Sequence, residues 1–186
     1  MMIKVGFDER LQLLNLDDTV RATDRIVILT ETQKLGKAKL ICHLNHFNIC
    51  FLNADKQTFR WLRTLKCADA ILFEQRENRW ILKIVEFKKC MTVESVKKSL
   101  EQFEGALYNA IAIAGFLQIE DFEEVRLYSA FRFDKMNENP LLRKRRENQK
   151  AIRQWERGKV KLPFIEETVP YKRIILDENG DGEVTL

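Results

Sequence analysis

The sequence predicts an α/β fold, a mixed central β-sheet flanked by helices, in a single domain spanning residues 1–186. Three observations carry this reading. Two runs rich in Ile, Leu, Val, Phe and Trp, 68–74 and 80–88, flank the polar break Gln75-Arg-Glu-Asn-Arg79, which holds the turn former Asn78. Residues 92–116 repeat their apolar side chains at helical spacing. A further strand-like run, Glu124 to Arg132, follows that helix.

Taken in order, residues 8–18 read as a short helix. Arg25 to Glu31 is an apolar run with β-branched residues, a strand. Lys34-Leu-Gly-Lys37 reads as a turn, and Lys39 to Phe51 as one further, bent strand. Residues 54–63 fit a helical turn or a loop. In the helix at 92–116, Thr92 is the cap and Glu94 favours the first turn. Its core stripe is Val96, Leu100, Phe103, Leu107, Ala110, Ile111 and Ala114, and Gly105 permits close packing against a sheet. Asn139 and Pro140 start a basic helical region of about 139–158 that Gly158 ends. Residues 171–176 read as an edge strand.

The length suffices for one real core, and three prolines and seven glycines argue against a long linker. No apolar run approaches the ~20 residues of a membrane span, so no membrane partner is expected. Residues 1–9 lack the layout of a secretory signal, and a cytoplasmic location is the expectation. The scattered Cys42, Cys50, Cys67 and Cys90 then read as reduced thiols. Charge is uneven: residues 134–161 hold ten basic side chains against four acidic ones, in a chain of net charge +4.

The hairpin register follows from the apolar pattern. Centring the loop between Glu77 and Asn78 sets Phe73 opposite Leu82 and Ile71 opposite Ile84, and it brings Asp69 to Glu86 and Cys67 to Lys88. A slip of one residue would turn Asp69 to the other face. Like charges opposite each other destabilise a sheet. A bound cation turns that repulsion into attraction, and Lys88 offsets part of it without metal.

Strand, Asp-bearing strand, Glu86-Phe-Lys88 strand, helix and strand, over roughly residues 67–131, resemble the PD-(D/E)XK nuclease superfamily, with its restriction-endonuclease-like fold. Asp69 matches the first acid of the motif, Glu86 the second and Lys88 the lysine. Ala68 stands where the family name puts proline. The resemblance implies a further acid from an N-terminal helix, for which Glu9 and Glu31 are both candidates. The Gln-x3-Tyr submotif of some members is not matched, since Gln102 and Tyr108 are six positions apart. Lys98 and Gln102, four apart on one helix face, remain accessory candidates.

What the resemblance implies is hydrolysis of phosphodiester bonds with Mg²⁺ or Mn²⁺. Such ions take oxygen ligands, here Asp69, Glu86 and the backbone carbonyl of Phe87. They activate water and stabilise the leaving oxygen, while Lys88 orients the water or holds charge on phosphorus. Nucleic acid is the expected partner, DNA favoured over RNA. Arg143, Arg146, Lys150, Arg153 and Arg157 form a stripe suited to phosphates, with Trp155 nearby either stacking on bases or anchoring the helix. A homodimer or protein partner would add specificity. The alternative function is an inactive module of the same fold that binds nucleic acid or a protein. A third reading is a structural subunit docking through the basic helix.

Two further motifs carry less. Cys42, His43, His46 and Cys50 concentrate soft ligands, but their spacing matches no standard zinc pattern and one strand cannot present all four. They read as buried thiols and hydrogen-bonded histidines. Asp177-Glu-Asn-Gly-Asp-Gly182 echoes a calcium loop, but no final bidentate acid follows, so it reads as a turn.

Overall fold

The structure, a computed structural model, describes residues 6–14, 19–31, 37–57, 59, 62, 64 and 66–186. Its elements run α1 (Phe7–Gln12), β1 (Val20–Thr23), β2 (Ile26–Glu31), β3 (Ala38–His43), β4 (Phe47–Leu52), β5 (Ala70–Arg76) and β6 (Arg79–Met91). They continue with α2 (Val93–Leu117), β7 (Glu124–Asp134), α3 (Pro140–Lys144), α4 (Gln149–Arg157), β8 (Lys159–Val160), β9 (Val169–Ile175) and β10 (Asp181–Thr185). The protein is a mixed α/β protein. A seven-stranded sheet has the order β1-β4-β5-β6-β7-β9-β8, and a three-stranded sheet the order β10-β3-β2.

The large sheet is antiparallel from β1 to β6 and parallel from β6 through β7 to β9. Parallel neighbours need a long crossover, and α2 supplies the one between β6 and β7. Both faces of this sheet are covered. Ile71, Phe73, Leu82 and Ile84 pack toward Phe103, Leu107, Ala110 and Trp155 on the helical side. Ala70, Leu72, Val85 and Phe87 pack toward Val27, Leu29, Leu40 and Cys42 of the small sheet. Burial on two faces is why β5 and β6 read as continuous apolar runs rather than alternating ones.

The hairpin register is the one expected from centring the loop between Glu77 and Asn78: Phe73 pairs with Leu82 and Ile71 with Ile84. Thr92 caps α2 by accepting from Ser95 N–H. Charge also enters the sheet. Lys83 Nζ lies 2.7 Å from Glu74 Oε2, with both side chains fully buried, and Arg76 Nε approaches the other Glu74 oxygen at 2.9 Å. Burial pushes the Lys83 ammonium pKa down, with Glu74 opposing that shift.

Several sequence expectations need correction. The N-terminal helix covers only Phe7–Gln12, and residues 15–18 lie outside the described residues, as do 34–36 of the expected turn. The single strand expected over 39–51 is two strands in two sheets, β3 and β4, because the polar Asn45-His46 corner carries the chain from one layer to the other. Residues 54–56 form a 3₁₀ turn. The strand expected at the sheet edge, β9, is paired on both sides, with β7 and β8. The Asp177 turn leads into β10, which pairs in parallel with β3. Gly105 makes its close approach to a connecting segment rather than to a sheet: a Cβ there would lie 1.7 Å from the Lys66 carbonyl oxygen. Ile111, placed on the core stripe, is 46% exposed.

The basic region 139–158 is not one helix. Asn139 caps α3 by accepting from Leu142 N–H and Pro140 opens it, but Arg145 turns to extended backbone before a 3₁₀ turn and α4 follow. Gly158, at φ +61°, ends α4. Among the described residues, no helix is long and apolar enough to cross a membrane.

Candidate active site

The site begins at Asp69, the residue before β5. Its Oδ2 accepts the backbone N–H of Phe87 at 2.6 Å, and its carbonyl accepts Ala54 N–H at 2.8 Å. The first bond extends the β5–β6 ladder through a side chain and fixes the carboxylate beside Glu86. Glu86 shares the face of Leu82 and Ile84, toward α2, and is 1% exposed. Its Oε1 accepts from Lys88 Nζ, while its Oε2 is buried without a hydrogen-bond partner. Lys88 Nζ also donates to Gln102 Oε1 at 2.8 Å, and Gln102 Nε2 donates to the Cys67 carbonyl at 3.3 Å. Gln102 therefore links the lysine of β6 to the segment leading into Asp69.

Electrostatics here are costly. Burial first, then the Glu86 charge, pushes Asp69 up to about 9, and the Phe87 N–H opposes only part of it. Glu86 is also raised, mainly by burial, against the pull of Lys88. Two buried carboxylates share one place, so without a cation the pair retains a proton at neutral pH. Burial, followed by the charges of Asp55 and Glu86, pushes the neighbouring Cys67 thiol up to about 12.

A cavity of about 240 Å³ opens over these groups. Asp69, Glu86, Phe87, Lys88 and Gln102 line it together with Glu31, Asp55, Lys89 and Arg132. Of the two candidates for a further acid, Glu31 is thus at the pocket and Glu9 is not. Glu9 sits on α1, which docks at the other end of the hairpin through the Phe7–Trp80 ring contact and the Arg10 bond to the Phe116 carbonyl. Lys98 lies in an adjoining groove that shares Asp55, Lys88 and Gln102 with the pocket.

Asp55 escaped the sequence reading. The β4–β5 register, Leu52 opposite Ala70, carries the turn after β4 to the start of β5, and Asn53 in the left-handed region makes that turn. Burial raises the Asp55 carboxyl and Lys56 opposes it. The signal for Asp55 was the Asn53-Ala-Asp55 turn after an apolar strand, readable only once that strand is known to pair with β5. Among the described residues, no three His, Cys, Asp or Glu side chains are grouped so as to hold a metal ion among themselves.

The other candidates divide. On α4, Lys150, Arg153 and Arg157 are exposed on the side opposite the buried Ala151, Ile152 and Trp155, and Arg146 is exposed in the preceding turn. Arg143 is held by Glu156 at 2.5 Å and Asn137 at 2.7 Å. Trp155 is a packing anchor, against Phe131 and Tyr171, with Arg173 over its ring. Cys42 and Cys50 are buried between the sheets, and burial pushes both thiols up to about 12. His43 instead meets Glu183 at 2.5 Å, and His46 lies 3.8 Å from Glu74.

The chain matches no protein-family model, no curated protein and no solved structure at a significant level.

Proposed function

We propose that this chain is a divalent-metal-dependent nuclease of restriction-endonuclease-like type that hydrolyses phosphodiester bonds of nucleic acid. One observation carries the reading: the 2.6 Å bond from Phe87 N–H to Asp69 Oδ2, which sets that carboxylate beside the buried Glu86. The antiparallel β5–β6 pair, the α2 crossover and parallel β7 support the finer fold assignment.

The donor set fits a hard cation. Glu86 Oε2 is buried and unpartnered, Asp69 is forced toward its neutral form, and carboxylate oxygens are the ligands that Mg²⁺ or Mn²⁺ takes. Asp69, Glu86 and the Phe87 carbonyl would hold the ion. When bound, it supplies Lewis-acid polarisation of the phosphodiester and lowers the pKa of water. Lys88, steadied by Gln102, offers its ammonium to negative charge developing on the phosphate. Lys89 and Arg132 on the same pocket attract the anionic backbone. Asp55 and Glu31 add negative charge that favours cation uptake. The exposed face of α4 gives salt-sensitive, sequence-independent contact to phosphates.

The test is cleavage of mixed DNA and RNA substrates in Mg²⁺ or Mn²⁺, with Asp69→Ala and Lys88→Ala alongside. The wild type should cut and both variants should not. Absence of cutting in either metal, with nucleic-acid binding retained by all three proteins, would replace the nuclease by the inactive binding module.

A further inference from the structure

We propose that this chain self-associates by inserting α3 of one copy into an acidic-rimmed apolar groove of another, on surfaces separate from the acid pocket. The groove has a volume of about 600 Å³. Leu107 and Ile111 of α2, Val125 of β7 and Ile165 with Phe164 of the connection before β9 give it an apolar lining. Glu123, Glu124, Glu166 and Glu167 rim it, and Lys159 also lines it. Glu123 and Glu124 are held by Arg79 and Arg126, each at 2.5 Å. Among the described residues no ion pair involves Glu166 or Glu167, both of them exposed, so these two carry the rim's available negative charge.

Phe164 marks this surface independently. It is 83% exposed, and its φ of +62° lies in the left-handed region, where a bulky side chain is strained. Two bonds from Lys161 Nζ, to the carbonyls of Ile165 (2.5 Å) and Glu166, pin the segment just after it. Its ring leans on Tyr108 at 5.9 Å. A large apolar ring is thus held outward at an energetic cost.

The complementary surface is on the same chain. Leu141 on α3 is 75% exposed, and Lys144 and Arg146 beside it are exposed cations, as is Arg145, which lies 3.9 Å from the exposed Glu147. Asn139 caps this short helix, Pro140 opens it and Arg143 ties it to Glu156, so it is a preordered knob. An apolar knob flanked by cations matches an apolar groove flanked by carboxylates, and charge complementarity of this kind selects and orients a partner. Knob and groove are different patches, so the contact is isologous when two copies exchange it about a two-fold axis and heterologous when it repeats head to tail. Exchanged reciprocally it closes a dimer, and otherwise it builds higher assemblies.

Sedimentation of the full chain over a concentration series tests this, with far-UV circular dichroism checking that each variant folds. The wild type should associate as concentration rises. Leu141→Glu and the pair Glu166→Lys, Glu167→Lys should each weaken association by about tenfold or more, since 1.4 kcal/mol is a factor of ten. Lys144→Glu with Arg145→Glu should weaken it similarly. Mixing that chain with the Glu166→Lys, Glu167→Lys chain should restore a mixed species, because reversed charges then face each other. A wild type that stays monomeric throughout, or an association that none of these variants alters, overturns the proposal. Neither result bears on the nuclease reading, which is scored by cutting.

Discussion

The backbone N–H of Ala54 donates to the carbonyl of Asp69 at 2.8 Å. This bond ties the turn that carries Asp55 to Asp69, the residue that leads into β5, so acids from separate parts of the chain line one cavity. Asp55→Asn should therefore weaken Mg²⁺ uptake and slow cutting by about tenfold, the scale of one lost charge interaction of ~1.4 kcal/mol. Glu9→Gln should change neither. Comparing the two variants by Mg²⁺ dependence of cutting and by calorimetric Mg²⁺ titration checks the assignment of the further acid.

Asp69 sets a pH dependence whose sign is opposite to that of an ordinary salt-bridged carboxylate. Its native value, about 9, lies above the unfolded 3.8, so between these the native state holds a proton that the unfolded chain has lost. Stability without metal then falls as pH rises through that window, by up to about 1.4 kcal/mol per pH unit. Asp69→Asn should remove this slope. At pH 8 the variant should melt above the wild type, by about 2–4 °C for each kcal/mol. Thermal melts at several pH values in chelator, with equal slopes for both proteins, would refute the proton-sharing account.

A divalent ion should reverse that penalty. Ligands that bind only the native state stabilise it by mass action, about 2.7 kcal/mol at a hundredfold excess over Kd. Saturating Mg²⁺ or Mn²⁺ should raise the wild-type melting point, and Glu86→Gln should abolish the rise. Differential scanning calorimetry with and without the ion measures this without reference to catalysis.

Gly105 should not tolerate a side chain. A Cβ there would lie 1.7 Å from the Lys66 carbonyl oxygen, and a backbone atom cannot swing aside as a flexible side chain can. Gly105→Ala should cost about 1–3 kcal/mol despite its better helix propensity, as overpacking does. It should also displace the segment leading through Cys67 to Asp69 and so lower cutting. Urea unfolding beside cleavage checks both effects.

Glu74 and Lys83 form the buried ion pair of the β5–β6 hairpin. Glu74→Ala strands the ammonium and should cost about 3–5 kcal/mol. Replacing both residues by methionine should recover most of that loss. A double-mutant cycle in urea gives the coupling directly.

The hairpin, its register and α2 were legible in the sequence because each is local. The short polar break at 75–79 centres the β5–β6 alignment, and that alignment brings Asp69 to Glu86. The α2 stripe and its Thr92 cap follow from 3.6-residue periodicity. The small sheet was not legible, since the break between β3 and β4 shows only as polar residues inside one apolar stretch. The breakdown of the basic helix at Arg145 was hidden for the opposite reason: good helix formers continue through it, while Asn148, bonded to the Leu142 carbonyl and to Lys97, draws the chain into a tighter turn.

By itself the sequence determined which side chains share a face, because strand and helix periods are set by local backbone geometry. It thereby determined the Asp69, Glu86 and Lys88 constellation. Only the tertiary structure decided which distant segments complete the pocket. It brought Glu31 from the small sheet and Asp55 from the turn after β4, and it left Glu9 at the far end of the hairpin. Those choices depend on how layers stack and strands pair across long separations, and no short-range pattern in the chain records them.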